Sequence, residues 1–160
     1  MVATRLDIAE DVRSKVCKRL NPILASGIDL QLQTKQAHWN VKGENFIALH
    51  KMFDELRADV DEYVDLIAER IVQLGGIAGG TLKAAAGATK LPPYPEKAEK
   101  WTEHVEAITR SLAEFASDVR SGVDDTDDLG DKGTADVLTE VSRGTDKWVW
   151  FVGAHLQGSR

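Results

Sequence analysis

The sequence has few of the features that mark secreted or membrane-spanning proteins. Cys17 is its single cysteine, so an intramolecular disulfide and a zinc site built of several thiolates are both excluded. Residues 1–13 contain no apolar run, so we expect no signal peptide. No stretch approaches the ~20 consecutive apolar residues that span a bilayer. These absences favour a reducing compartment, and we expect a cytoplasmic protein with no membrane partner.

An excess of positive charge is also lacking. Lysine and arginine number 20 against 26 aspartate and glutamate residues, which gives a net charge of −6. This balance argues against a protein whose whole surface binds nucleic acid, although a local basic tail would not show in the sum. The length of 160 residues predicts one domain over residues 1–160, with short tails at 1–6 and 156–160.

Helical periodicity dominates the chain, and neither an internal repeat nor a strand pattern is present. Apolar residues recur every three or four positions in four segments, which predicts a long amphipathic helix for each. Asp7, Asn45 and Thr134 are the predicted N-terminal caps of the first, second and fourth helices. Pro22 removes a backbone donor and predicts a kink or a restart in the first helix. The predicted helices cover residues 7–39, 45–74, 97–121 and 135–157.

The connections between these helices predict how they are arranged. Residues 75–96 form a long connection, which calls for structure of its own or a crossover role, and TLKAAAGA within it is a candidate short helix. Residues 122–133, GVDDTDDLGDKG, are expected to break the helix before the last one. Short links after the first and third helices make those neighbours antiparallel. The fold class predicted is all-α, a ferritin-like four-helix bundle with a short extra helix in the central connection.

Most of the possible metal chemistry lies within residues 35–70. His50 and Asp54 are four residues apart, as are Asp65 and Glu69, and residues at that spacing share one face of a helix. Imidazole and carboxylate on one face suit iron or zinc. Because such pairs are also common on solvated helix faces, a purely structural pair of this kind is the alternative.

One helix cannot bring both pairs to the same ion. Asp54 and Asp65 are eleven residues apart, or ~16 Å along the axis, whereas ligands lie ~2–2.6 Å from a metal. Either each pair builds a separate site, or a second copy of this helix runs antiparallel and brings the two pairs together. The second arrangement needs a two-fold axis between subunits. His38, at the end of the preceding helix, could lie near the start of the second.

The runs KQAHWNVKGENFIALHKMFDEL and VDLIAERIVQLGG resemble the signature of the Dps family, the miniferritins named as DNA-binding proteins from starved cells. The segments TADVLTEVSR and DKWVWF extend the resemblance into the last helix, so that it covers nearly the whole chain. Five residues match the ferroxidase ligands of the family in order and spacing. They are His38, His50, Asp54, Asp65 and Glu69.

The resemblance implies a hollow homododecamer with ferroxidase sites at its two-fold interfaces. His38, His50 and Asp54 would come from one subunit, and Asp65 and Glu69, the main iron ligands, from its mate. His50 would act through water. The implied reaction is oxidation of Fe(II), preferably by hydrogen peroxide rather than dioxygen, at sites that hold two irons. Storage of the ferric mineral inside the shell would protect the cell and its DNA from oxidative damage.

Two further features are assigned with the help of the resemblance. Trp39, beside His38, is expected to pack at the interface or to act as a sacrificial electron donor. Asp131, Asp136 and Glu140 follow a spacing that would project carboxylates into a three-fold pore, where an acidic ring attracts Fe(II). A solvated acidic loop is the alternative for these carboxylates.

Other ferritin and DNA-binding functions are less well supported by the residues. No glutamate lies three residues before any of the four histidines, so the Glu-x-x-His motif of ordinary ferritins is absent. Residues 1–20 mix basic and acidic side chains and hold no lysine-rich tail, so DNA and nucleoid association are expected to be weak. Two alternatives stay open: a nucleoid-compacting protein with secondary iron chemistry, and a structural oligomer without metal. We expect His104 and His155 to be packing or surface residues, and Cys17 to be a buried small hydrophobe.

Overall fold

The computed structural model describes residues 1–157, and they form five α-helices and one short 3₁₀ turn with no strand. The predicted all-α architecture is confirmed, including the short helix in the central connection. Residues 158–160 of the predicted C-terminal tail lie outside the described part of the chain. In chain order the elements are α1 Glu10–Asn40, α2 Phe46–Gln73, α3 Leu82–Ala88, α4 Trp101–Asp128, α5 Lys132–Gly153 and the 3₁₀ turn Ala154–Leu156.

The four long helices pack as two antiparallel pairs, α1 with α2 and α4 with α5, and α1 also packs on α4. The short helix α3 packs on α1. Apolar side chains from all four long helices fill one core, in which Phe53 of α2 and Phe115 of α4 are the largest fully buried residues. The apolar periodicity of the sequence places one apolar stripe on each helix. Burial of these stripes against one another stabilises the bundle. No helix within residues 1–157 is both long enough and apolar enough to cross a membrane.

The start of α1 differs from the prediction, and of the two predicted effects of Pro22 the restart does not occur. The helix begins at Glu10, after Ala9, so Asp7 is not its cap. It continues through Pro22 without a restart. The neighbouring residues Ile23 and Leu24 are almost fully buried, and Asn21 donates a side-chain hydrogen bond to the Cys17 carbonyl at 3.0 Å. Tertiary packing therefore outweighs the local cost of the proline.

The acidic segment before α5 is also more helical than predicted. α4 extends to Asp128 and continues through Gly122, where an added Cβ would lie 2.8 Å from Ile23 Cδ1 and 2.9 Å from Leu138 Cδ1, so the helices pack closely there. The chain turns at Gly130, whose φ is 83°. Asp131, rather than Thr134, caps α5, since its carboxylate accepts a hydrogen bond from the Thr134 amide at 3.1 Å. Asn45 occupies the predicted cap position of α2, but its side chain makes no capping hydrogen bond.

Candidate metal centre

Two histidines meet where the hairpin of α1 and α2 closes. His38 lies in the last turn of α1 and His50 in the second turn of α2, and their ring centroids are 3.7 Å apart. His38 Nδ1 lies 2.7 Å from the His50 carbonyl oxygen, and His50 Nδ1 lies 2.9 Å from the His38 carbonyl oxygen. Each ring is thus held by the backbone of the other residue.

This reciprocal bonding selects the tautomer of both rings. A carbonyl oxygen only accepts a hydrogen bond, so each Nδ1 atom carries a proton, and Nε2 is the ring atom of each histidine that could bind a metal. Metal-binding histidines commonly donate their second ring N–H to a carbonyl in this way, which fixes the ring and raises its basicity. His38 and His50 therefore direct their Nδ1 atoms to backbone carbonyls and leave their Nε2 atoms for a metal.

Asp54 adds a carboxylate one turn further along α2. Its Oδ1 atom is 3.9 Å from His38 Nδ1 and 2.6 Å from the ammonium of Lys35 on α1. The hydrogen bond from Lys35 lowers the pKa of Asp54, so this carboxylate is ionised at neutral pH. The sequence reasoning missed Lys35, although its position one turn before His38 places it on the face of α1 that carries the histidine.

Asp65 and Glu69 lie on exposed turns of α2 away from this cluster. The structure therefore brings His38, His50 and Asp54 together and leaves the other two predicted ligands apart. No group of three histidine, cysteine or acidic side chains within residues 1–157 of a single chain is arranged to hold a metal ion. The predicted ligand set is incomplete in one copy of the chain.

Exposed apolar side chains lie beside both parts of the ligand set. Next to the histidines, Trp39 is 67% exposed and Ile47 60% exposed, and we call these two residues with Phe46 the histidine-side patch. Beyond Glu69, Val72 is 59% exposed and Ile77 84% exposed, and these form the glutamate-side patch. Large exposed apolar side chains that lie in one patch are typical of surfaces that another protein covers.

The predicted pore carboxylates are not equivalent. Asp131 is 2% exposed, and its Oδ1 accepts hydrogen bonds from Arg70 at 2.7 Å and from the Thr134 amide. Within one chain this carboxylate therefore holds the start of α5 against the end of α2, and its place in a pore between subunits stays a prediction. Asp136 and Glu140 are exposed one turn apart on α5. The capping position alone could have indicated a local role for Asp131, but not its partner Arg70.

The remaining predicted packing residues lie where expected. His104 on α4 is 1% exposed, and its Nδ1 lies 2.5 Å from the hydroxyl of Tyr94 in the central connection. Burial raises the pKa of Tyr94, so the tyrosine hydroxyl is protonated and donates this bond. Cys17 is also buried, as predicted, and burial is the main cause of its raised pKa.

Comparison with known proteins decides the family. Residues 17–160 match the ferritin-like domain. A DNA protection during starvation protein of Agrobacterium fabrum is 47% identical over 154 residues, which cover 96% of this chain and 95% of the relative. The chain belongs to the Dps family. The resemblance seen in the sequence is confirmed.

Solved Dps structures share the whole architecture of this Dps-family chain. DpsC from Streptomyces coelicolor superposes with a TM-score of 0.94 at 29% identity, covering 99% of this chain and 93% of that one. Dps from Microbacterium arborescens in the high iron form has a TM-score of 0.86 at 33% identity, covering 97% and 99% of the two chains. The ferritin-like four-helix bundle is thus shared over the full length.

Proposed function

We propose that this protein is a ferroxidase and iron store, with Fe(II) as its substrate and with sites that form between two copies of the chain. The observation that carries the proposal is the His38–His50 pair, whose bonding leaves both Nε2 atoms free as metal ligands. The high iron form of the Microbacterium arborescens relative is consistent with iron as the substrate. Membership of the family supports the same function.

In the proposed site, His38, His50 and Asp54 of one subunit face Asp65 and Glu69 of its mate across a two-fold axis. Two antiparallel copies of α2 related by such an axis bring the distant pairs together twice, which gives two equivalent sites for each pair of subunits. The histidine-side patch and the glutamate-side patch support this arrangement, because each would be covered where the helices meet. The full assembly in the proposal is a hollow homododecamer.

The proposed reaction is the two-electron reduction of hydrogen peroxide by two Fe(II) ions. Two Fe(II), one hydrogen peroxide and two protons give two Fe(III) and two water molecules, so no hydroxyl radical is released. Asp65 and Glu69 would be the main ligands, because hard carboxylates favour Fe(III), while the imidazoles favour Fe(II). His50 would act through water. Dioxygen is the second oxidant, and the ferric product would be stored as mineral inside the shell.

Two surface features have proposed supporting roles. Asp136 and Glu140, both exposed on α5, would line the pore through which Fe(II) reaches the interior. Trp39, which is mostly exposed in one chain, would pack across the two-fold interface beside His38. Its indole is also the nearest candidate for a sacrificial electron donor when oxidation by peroxide is incomplete.

A nucleoid-compacting role is the alternative, and the N-terminal segment argues against it. The Val2 amide donates to the Gly75 carbonyl at 2.8 Å, and the buried Arg13 donates to the Leu74 carbonyl at 2.8 Å. The N-terminal segment is therefore held against the end of α2 rather than presented as a free basic arm. We propose a cytoplasmic protein that protects DNA by removing iron and peroxide. A gel shift at low salt without free divalent metal should show no complex, and a retained complex would favour nucleoid association.

The test is anaerobic loading with Fe(II) followed by hydrogen peroxide, with oxidation measured by absorbance. Asp65→Ala/Glu69→Ala should abolish the rapid phase, because it removes the main ligands. Glu106→Ala/Glu114→Ala is the matched control, since it removes the same charge from exposed positions of α4. Equal rates in the native protein and in the α2 variant would defeat the site assignment.

A further inference from the structure

A tyrosine and a buried histidine form a pair outside the proposed ligand set. His104 of α4 is 1% exposed, and its Nδ1 accepts a hydrogen bond from the hydroxyl of Tyr94 at 2.5 Å. The two rings are stacked, with centroids 6.1 Å apart. Because Nδ1 accepts, Nε2 carries the ring proton, and within residues 1–157 this buried nitrogen has no hydrogen-bond partner. The hydroxyl proton of Tyr94 therefore lies directly against a neutral, buried base.

The pair lies near the turn between α1 and α2, and this turn has the predicted histidine ligands on its two sides. A Cβ added at Gly43 in the turn would lie 3.9 Å from Cδ1 of Trp101, the first residue of α4. Trp101 and His104 are three residues apart and share a face of that helix. Trp101 and Tyr94 both pack against the core. An aromatic path therefore runs from the turn through Trp101 to the pair.

The contact between Tyr94 and His104 suits the coupled transfer of an electron and a proton. A tyrosine that loses an electron becomes a strong acid, so its oxidation needs a base within hydrogen-bond reach. Burial raises the pKa of Tyr94, which opposes loss of the proton to water. Burial also lowers the pKa of His104, with Glu103 offsetting part of this effect and Lys42 adding to it. His104 can therefore take the proton and is also disposed to give it back.

We propose that Tyr94 and His104 form a reversible electron store, used when a site meets hydrogen peroxide while it holds a single Fe(II). This inference rests on the proposed function. Peroxide needs two electrons to become two water molecules, and one Fe(II) supplies only one of them. Tyr94 supplies the other, while its O–H bond breaks and an N–H bond forms at His104 Nδ1.

Both steps of this cycle balance. Fe(II), Tyr94, neutral His104, one hydrogen peroxide and two protons from solvent give Fe(III), the neutral Tyr94 radical, the His104 imidazolium and two water molecules. A second Fe(II) then reduces the radical and becomes Fe(III), and the proton returns from His104 to the Tyr94 oxygen. The two steps add up to the proposed oxidation of two Fe(II) by one peroxide, so no hydroxyl radical is released when iron is scarce.

The chain offers a matched control, because Tyr63 is its only other tyrosine. Tyr63 lies on α2 and packs against Gly144 of α5. Burial first, and then the charges of Asp59 and Glu140, raise its pKa to about 12. These carboxylates, rather than a histidine, are the ionisable groups beside it within residues 1–157. Tyr63→Phe therefore removes the same hydroxyl as Tyr94→Phe from a ring that has no imidazole partner.

The experiment loads the assembled protein anaerobically with one Fe(II) per site, adds hydrogen peroxide and freezes the sample for electron paramagnetic resonance. The native protein and Tyr63→Phe should show a tyrosyl radical that decays when more Fe(II) is added. Tyr94→Phe should lose this radical and release more hydroxyl radical to a spin trap. In His104→Gln the amide oxygen accepts the hydrogen bond but takes no proton, so radical formation should slow about a hundredfold. Circular dichroism and size-exclusion chromatography check folding and assembly.

Several results would overturn the inference. A tyrosyl radical that persists in Tyr94→Phe, or that disappears in Tyr63→Phe, would place it on Tyr63, and the second outcome needs no folded Tyr94→Phe. A radical on tryptophan alone would assign the donor to an indole such as Trp39. An unchanged rate of radical formation in His104→Gln would show that His104 only packs against Tyr94. Rapid iron oxidation by the native protein without any radical would overturn the electron store alone, whereas no rapid oxidation would defeat the proposed function and this inference with it.

Discussion

The two ends of α2 differ in how far contacts within one chain orient the predicted ligands that they carry. At the N-terminal end, His50 and Asp54 are already bonded to His38 and Lys35 of α1. At the C-terminal end, Asp65 and Glu69 stand on an exposed face away from the histidines. One chain thus orients the nitrogen ligands by its own hairpin and leaves the carboxylates that complete the proposed site to a second copy. We therefore expect the two ends of α2 to respond differently to mutation.

The largest effect should come from separating the subunits without touching a ligand. Ile47→Asp places a charge in the histidine-side patch, and Ile77→Asp places one in the glutamate-side patch. Because both patches would be buried in the two-fold interface, each variant should lose the pairing and at least about tenfold in ferroxidase rate. Analytical ultracentrifugation and the peroxide assay should report the two losses together. A monomeric variant with the native rate would contradict the composite site.

The two ends should also differ in their contribution to stability. His50→Ala removes a stacked ring and leaves the backbone carbonyl of the buried His38 without its donor, which should cost about 1–3 kcal/mol in the free energy of unfolding. Glu69→Ala removes an exposed side chain and should change that free energy by no more than about 0.5 kcal/mol. Urea unfolding followed by circular dichroism compares them. Equal changes in the free energy of unfolding would show that the His50 ring stabilises the fold no more than the exposed Glu69 side chain does.

A third histidine extends the comparison to pH. Burial lowers the pKa of His104 from 6.5; Glu103 offsets part of this effect, and Lys42 adds to it. The unfolded state therefore binds a proton near pH 6.5 while the folded state does not. The contribution of His104 to the free energy of unfolding is therefore fully present above pH 6.5. It falls as the pH drops towards the pKa of His104 in the folded state, by at most about 1.4 kcal/mol per pH unit. His104→Gln should flatten this part of the stability–pH profile, and an unchanged slope would assign it to other groups.

The smallest effect should come from the proposed pore. Asp136→Asn removes an exposed charge from α5 and should slow iron uptake about two- to fivefold, since it weakens the attraction of Fe(II) without altering the oxidation site. Stopped-flow uptake at low ionic strength measures it. Asp131→Asn is the informative companion, because it should lower stability through the loss of the Arg70 contact. Unchanged uptake in Asp136→Asn would count against its place in the pore.

The differences between prediction and structure arise where local residues depend on distant partners. The helices and their antiparallel pairing follow from spacing within the sequence, whereas the set of five proposed ligands comes from the resemblance to the Dps family. Gly122 was expected to end a helix, but α4 continues through it and packs closely there against Ile23 and Leu138 of other helices. Asp131 was assigned to a pore, or alternatively to a solvated acidic loop, and its pairing with Arg70, sixty-one positions away, was not predicted. Spacing along one segment carries no information about such contacts.

The central claim is that each site takes its ligands from two subunits, and complementation tests it most directly. Neither His50→Ala/Asp54→Ala nor Asp65→Ala/Glu69→Ala should oxidise Fe(II) rapidly by itself. When the two variants are unfolded, mixed in equal amounts and reassembled, half of the pairs contain one chain of each kind, and each such pair has one intact site. The account predicts recovery of about a quarter of the native rate. Assembled mixtures that stay inactive would place all the ligands of a site in a single chain and contradict it.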